Sequence, residues 1–343
     1  MNKVLFFHPR NDFTGSTRVL SNIIESDYSK QTVTVITVNN GQGFLSELHN
    51  VKIVAIYSPQ YRGKNIPVIT PVIWRLHALM LALFYGLRFN VFYINTIIPF
   101  YAAIVARLYR KQIIYHIHEK FIQKNLYVNV AEYVFNHCLA KRIYVSEYVK
   151  NQYKFKKGCE SIVRYNSLPQ SFLSKVQIVP TELRSRKVVL MISSLTKVKG
   201  IFTFISLAET MPEYTFKLLI SANSEKIERF LSGIQIPINL EIISAQKDIH
   251  PYLQSSDLIV NLSIPQLCVE TFGMTILEAM AYGIPAIVPN IGGPLELVID
   301  GYNGYCVDVT NIAEVKEKIM QVFNEDNYNI FVHNALNNVK KFI

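Results

Sequence analysis

Residues 270–278 read Glu-Thr-Phe-Gly-Met-Thr-Ile-Leu-Glu, and the carboxylates at the two ends have the spacing to do chemistry together. Gly273 lies between them in a small, turn-forming centre that opens a helix. Eight residues of helix rise about 12 Å, roughly the span of a sugar–diphosphate–ribose skeleton. Glu270 would then reach a sugar while Glu278 holds a ribose. The first amides of a helix lack intrahelical partners and favour diphosphate, so the backbone at Gly273, Met274 and Thr275, with Phe272 beside it, would face the bridging group. A carboxylate near an anomeric carbon stabilises the positive charge of an oxocarbenium-like state, and Glu270 is the candidate. Two glutamates eight apart also describe an ordinary helix face, so the flanking residues decide.

The elements that must position these acids alternate between strand-like and helix-like segments, as a parallel α/β sheet requires. In the first half, strands are expected near 4–7, 32–38, 51–56, 91–95, 113–116 and 142–145, with a helix over 16–25. The second half restarts at 187–192 and continues with strands near 215–220, 239–243, 258–262 and 286–288. A polar, proline-marked stretch over 168–183 reads as the linker. We therefore expect an N-terminal domain over 1–170, a C-terminal domain over 171–322, and a helix over 323–343 returning to the first domain. Open α/β sheets bind ligands beyond the carboxyl ends of their strands, and the acids follow the strand at 258–262.

A chain of 343 residues, half of them hydrophobic and 17% charged, suits two domains with sizeable cores. Charge is uneven. Residues 1–180 hold 22 Lys and Arg against 8 Asp and Glu, and residues 181–343 hold 13 against 17. These are +14 and −4, which account for the net +10. Such asymmetry points to a polyanionic partner for the first half. No nucleic-acid-binding signature accompanies it, whereas the same half is unusually apolar, so an anionic membrane surface is the expected partner. Arg75 and Arg88 bound only 12 apolar-rich residues, short of the roughly 20 a spanning helix needs; this stretch reads as a buried helix. The next helix, over 99–110, carries Arg107 and Arg110, and Lys111, Lys120 and Lys124 follow, a set suited to anionic lipid.

Cys138, Cys159, Cys268 and Cys306 show no C-x-x-C pairing and read as reduced thiols. The start, Met-Asn-Lys-Val-Leu-Phe-Phe, reads as a first strand rather than a leader. No Asp-x-Asp occurs, which disfavours metal-dependent sugar transfer, and no G-x-G-x-x-G follows the first strand, which disfavours a nicotinamide enzyme. No cofactor and no metal site are expected.

The 270–278 stretch resembles the E-x7-E signature of retaining GT-B glycosyltransferases of the large group 1 family (family 4). The likeness continues upstream through Ser256 and Asp257 to Ser263, and downstream through Gly283-Ile284-Pro285, Gly292-Gly293 and Asp300-Gly301-Tyr302-Asn303-Gly304. The resemblance implies two Rossmann-like, doubly wound domains facing across a cleft, a nucleoside-diphosphate-sugar donor, and retention of anomeric configuration. It also implies further site residues. Where the family reads Gly-Arg-Leu-x-x-x-Lys-Gly, this chain keeps Lys199 and Gly200 to grip the donor diphosphate but has Ser193 and Ser194 for the Gly and Arg. A hydroxyl cannot imitate a bidentate guanidinium, and Lys197 is the available substitute. The run Tyr115-His116-Ile117-His118-Glu119 looks like the family's strand-end histidine near sugar and acceptor, with His118 the participant. In a strand, His116 and His118 point the same way. The loop holding Gly15 and Ser16 corresponds to the family's acceptor-side glycine loop, and Asn166 to a turn closing the first domain.

Together these readings describe a cytoplasmic retaining glycosyltransferase, peripheral on the inner face of the membrane. It would move a hexose or N-acetylhexosamine to a glycan acceptor, carried on a lipid such as polyprenyl diphosphate, in bacterial surface-polysaccharide assembly. A GT-B-fold nucleotide-sugar epimerase and a degenerate nucleotide-sugar-binding partner subunit are the alternatives.

Overall fold

The structure, a computed structural model, describes residues 3–39, 43–56, 70–122, 125–154 and 156–343, and the side chains of all of these except 70–72, 325 and 326. It divides into two compact units, Met1–Tyr165 and Asn166–Ile343.

The first unit runs β1 (Val4–Asn11), α1 (Gly15–Asp27), β2 (Val33–Asn39), β3 (Val51–Ile56), α2 (Thr70–Gly86), β4 (Val91–Asn95), α3 (Phe100–Leu108), β5 (Gln112–Ile117), α4 (Leu126–His137), β6 (Lys141–Tyr144), α5 (Glu147–Asn151) and β7 (Ser161–Val163). Its strands lie in the order β3-β2-β1-β4-β5-β6-β7, all ladders parallel. A parallel sheet covered on both faces calls for strands apolar along their length. Leu5, Phe6 and Phe7 of β1 and Phe92 and Ile94 of β4 are accordingly fully buried. Helices begin where short polar side chains cap them: Asn125 accepts from the Val128 amide at 3.0 Å, and Ser146 from the Val149 amide at 3.1 Å.

The second unit runs α6 (Gln170–Leu173), β8 (Val188–Ser193), α7 (Ile201–Thr210), β9 (Thr215–Ile220), α8 (Ser224–Phe230), β10 (Leu240–Ile243), α9 (His250–Gln254), β11 (Leu258–Val260), α10 (Met274–Met280), β12 (Ala286–Pro289), β13 (Gly304–Val307), α11 (Ile312–Phe323) and α12 (Glu325–Val339). Its sheet has the order β10-β9-β8-β11-β12-β13, again parallel. Phe204, Phe216, Ile287, Ile319 and Tyr328 sit at the centre of its core. In both sheets the first strand is central and the chain winds outward to either side, the doubly wound arrangement.

Two strands were not expected. β7 and β13 are short edge strands of three and four residues, and Gly304 opens the second inside what reads as a turn. The units part after Tyr165, and residues 323–343 are grouped with the second, where α12 packs on α10 and α11.

The largest difference concerns α2, expected as a buried helix. Ala78 and Ala82 form its buried side, and Gly86 lies so close to the sheet that a Cβ there would sit 2.7 Å from the Phe92 ring. Small residues let this helix approach closely, which turns its large residues outward: Ile73, Leu76, Met80, Phe84 and the following Leu87 are 44–67% exposed.

Candidate functional site

In the second unit the site residues gather at the carboxyl ends of β8 and β11. β8 ends at Ser193, and a 3-10 turn at Lys197–Lys199 leads into α7. Gly200 joins the two with φ 77°, a left-handed conformation that glycine adopts without penalty. A Cβ there would lie 2.2 Å from the Leu262 carbonyl oxygen, so Gly200 also lets the turn lie directly on the segment that follows β11. That approach delivers Lys199 to Glu270: Lys199 Nζ donates to Glu270 Oε2 at 2.7 Å, with both side chains 23% exposed.

The backbone around Glu270 is held by the glycine pair. The Gly293 amide donates to the Glu270 carbonyl at 2.9 Å. A Cβ on Gly292 would lie 2.5 Å from that same carbonyl oxygen, and one on Gly293 only 2.0 Å from the Thr271 carbonyl oxygen. No larger residue fits either position without moving the acid.

The stretch 270–278 is not one helix, which corrects the expected 12 Å span. α10 starts at Met274, and Gly273, with φ 102° and ψ 59°, breaks the path before it. Only 274–278 are helical, with Ile276 and Leu277 donating the first bonds back to the Gly273 carbonyl. Met274 and Thr275 keep partly exposed positions at the helix start. Phe272 turns its side chain into the core near Phe342, with ring centroids 6.1 Å apart. Glu278 lies on the inner side of α10 at 2% exposure.

Electrostatics keep Lys199 and Glu270 charged. Burial pushes the Glu270 carboxyl up, but the Lys199 charge and hydrogen bond, with bonds from the Asn261 side chain and the Thr271 backbone, bring it below the usual carboxylate value. Burial likewise opposes the Lys199 ammonium, and Glu270 outweighs it, leaving the group above its ordinary value. Glu270 is therefore a carboxylate at neutral pH.

Ser194 and Lys197 are not drawn into this pair. Ser194 is exposed, and its carbonyl accepts from the Thr196 amide at 2.8 Å. Lys197 is exposed with its ammonium 5.9 Å from the Phe202 ring centroid. Asn261, just past β11, carries no motif and was not expected. Its signal was only its place after a strand in the run Asp257 to Ser263.

In the first unit, strand order brings the carboxyl ends of β1, β4 and β5 side by side. His118, just past β5, contacts Asn95 Oδ1 through Nε2 at 2.7 Å. The Asn95 amide nitrogen lies 2.9 Å from His8 Nδ1, and His8 Nε2 lies 2.9 Å from Thr17 Oγ1. Thr17 donates to Asp12 Oδ1 at 2.8 Å. The rings of His116 and His118 stand 4.3 Å apart, on one side of the strand as alternation requires, and the Tyr93 hydroxyl lies 2.9 Å from His116 Nδ1. Burial brings His8 down to about 4 and His116 to about 3, and holds His118 well below the usual histidine range. All three rings are neutral at neutral pH. Burial pushes the Glu119 carboxyl up to about 7, partly offset by a hydrogen bond from Thr96. Thr96 itself has φ 77°, a strained value for a β-branched residue and one that clusters at functional sites. Gly15 opens α1 with nothing within 4 Å of where a Cβ would sit, and the Ser16 carbonyl accepts from the Asn95 amide at 3.3 Å. His8, Asn95 and Thr17 carry no recognisable motif and emerge only from strand order.

Two doubly wound units of this kind are the GT-B arrangement, and the second carries an E-x7-E acid paired to a lysine. Residues 177–341 match the family model of glycosyl transferases group 1. An uncharacterized glycosyltransferase of Methanocaldococcus jannaschii is 28% identical over 189 residues, 54% of this chain and 50% of the relative, so the likeness spans about half of that protein's length. The fold is shared with Anabaena Alr3699/HepE, in a complex with UDP and glucose, at TM-score 0.76 and 20% identity over 100% of this chain and 96% of that one. It is shared too with the lipopolysaccharide outer core galactosyltransferase WaaB in its apo form, at TM-score 0.70 and 18% identity over 100% and 95%.

Proposed function

We propose that this protein is a retaining glycosyltransferase that moves a hexose or N-acetylhexosamine from a nucleoside diphosphate to a lipid-linked glycan in bacterial surface-polysaccharide assembly. The observation that carries the reading is the 2.7 Å Lys199–Glu270 pair on the glycine-clamped turn. A diphosphate entering beside α10 competes with Glu270 for Lys199. Its capture neutralises the leaving group, helped by the amides at Met274 and Thr275, and frees the carboxylate to face the anomeric carbon. Glu278 accepts from the ribose, and His118 is the first unit's candidate for contact with a sugar. Lys199 supplies the charge that a divalent cation supplies elsewhere, so transfer is expected to survive EDTA.

The lipid side of the proposal rests on the first unit. Between Glu47 and Glu119 the chain has no Asp or Glu and eight Lys or Arg. The exposed apolar face of α2 lies in this segment, joined by exposed Ile104 and Leu108 of α3, with Arg88 5.2 Å from the Phe84 ring centroid. An apolar face in a segment whose charges are all cationic suits peripheral docking on anionic lipid. Lys124 lies outside the described residues. No helix among the described residues is long and apolar enough to cross a membrane.

The test is a panel of UDP-, GDP- and TDP-sugars scored by thermal shift, followed by product analysis with and without a polyprenyl-diphosphate-linked acceptor. Acceptor-dependent transfer with retained configuration supports the proposal. Acceptor-independent conversion of the sugar would establish an epimerase instead, and donor binding without turnover a degenerate partner subunit.

A further inference from the structure

We propose that Asn95 and His8 are positioning residues that lock His118 as the Nε2–H tautomer, so that its Nδ1 is presented only as a hydrogen-bond acceptor, to a ligand hydroxyl. The inference rests on the reading above only in taking His118 to meet the sugar.

Hydrogen-bond polarity is fixed from both ends of the chain of contacts. At the far end stands Asp12, whose carboxylate can only accept. Thr17 has one hydroxyl proton and four neighbours for it: Asp12 Oδ1 at 2.8 Å, His8 Nε2 at 2.9 Å, Thr14 Oγ1 at 3.3 Å and the Arg10 carbonyl at 3.4 Å, of which the anionic carboxylate is both the nearest and the strongest acceptor. Giving it to Asp12 makes the Thr17 oxygen an acceptor, so His8 must donate through Nε2–H at 2.9 Å. His8 Nδ1 is then a lone pair and takes a proton from the Asn95 amide at 2.9 Å. Asn95 is oriented independently of this relay. Its Nδ2 lies 3.3 Å from the Ser16 carbonyl, which also can only accept. Both contacts put the NH2 group towards β1 and α1, and Oδ1 is left facing His118. An oxygen acceptor 2.7 Å from Nε2 requires a proton on that nitrogen. The rings of His8, His116 and His118 are all buried and neutral, so His118 carries no second proton and Nδ1 keeps its lone pair.

The test reads the tautomer directly, without substrate. Long-range proton–nitrogen correlation spectra of histidine-labelled protein separate protonated from bare ring nitrogens. At neutral pH, His8 and His118 should each show a protonated Nε2 and a bare Nδ1, assigned by His8→Gln and His118→Gln. In Asn95→Asp the carboxylate can accept from both rings, so His8 should gain a proton on Nδ1 and His118 should titrate at higher pH. The groups facing the His118 ring are His116 and, through residue 95, His8. In Asn95→Leu the lock is gone and His118 should sample both tautomers, with melting curves checking that each variant folds. A bare Nε2 on His118 in the native protein would overturn the proposal, as would an unchanged His118 spectrum in both Asn95 variants. If the spectra behave as expected but His118→Gln transfers sugar normally, the lock stands and the assignment of His118 to the sugar fails.

Discussion

Replacing Lys199 with methionine removes one charge from a partly buried pair and leaves most of its volume. At 2.7 Å the direct attraction is about 6 kcal/mol for an effective dielectric of about 20, and desolvation of both groups cancels most of it. A charge-assisted hydrogen bond of this kind is worth about 1.5–3 kcal/mol net. In the native protein this carboxyl lies below its unfolded value, so the pair stabilises the fold above the ordinary carboxylate range and that stability is lost as pH falls through the depressed value. In Lys199→Met only burial and the weaker hydrogen bonds act on Glu270, and burial favours the protonated acid. The variant should therefore be less stable by about 1.5–3 kcal/mol at neutral pH, with the deficit shrinking as pH is lowered and Glu270 is protonated in both proteins. Urea unfolding across a pH series measures this. Calorimetric titration with the donor nucleotide should show affinity reduced about 10- to 150-fold. A stability deficit independent of pH, or unchanged donor affinity, would refute the reasoning.

Five further outcomes are expected. Glu270→Gln should fold normally and lose most transfer, because its charge matters as positive charge develops, while Glu278→Ala should chiefly weaken nucleotide binding; steady-state kinetics separate the two. Gly293→Ala should cost about 1–3 kcal/mol and impair transfer, since its Cβ would sit 2.0 Å from the Thr271 carbonyl oxygen; thermal melts and turnover are the readouts. Lys197→Ala should leave donor affinity unchanged, because that side chain is exposed near Phe202, and a loss matching Lys199→Met would show that it replaces the family's arginine. Flotation with anionic vesicles should capture the protein in a salt-sensitive way, and Met80→Glu with Phe84→Glu should abolish it; equal binding to neutral vesicles would count against the docking face.

Much was legible from the chain itself. Continuous apolar runs bounded by polar turns mark the strands, because a strand covered on both faces needs hydrophobic residues at every position. The E-x7-E stretch, Lys199-Gly200, Gly292-Gly293 and the Asp300–Gly304 turn read clearly because each depends on local backbone chemistry. Asn303 shows this well: its side chain bonds the Ile299 amide and the Leu297 carbonyl within its own turn. Tertiary structure alone decided what depends on close approach between distant segments. Gly273 and the glycine clamp end the helix before Glu270, so the spacing of the acids is not that of a helix. The small face of α2 lies against the sheet and leaves its large residues in solvent, although their hydropathy reads as core. The relay from Asp12 to His118 draws on residues up to 87 positions apart between neighbours, His8 and Asn95, whose meeting follows from β1 lying beside β4. A single sequence gives each residue's chemistry and its local periodicity; which side chains share a proton is set by strand order and burial, and those exist only once the chain has folded.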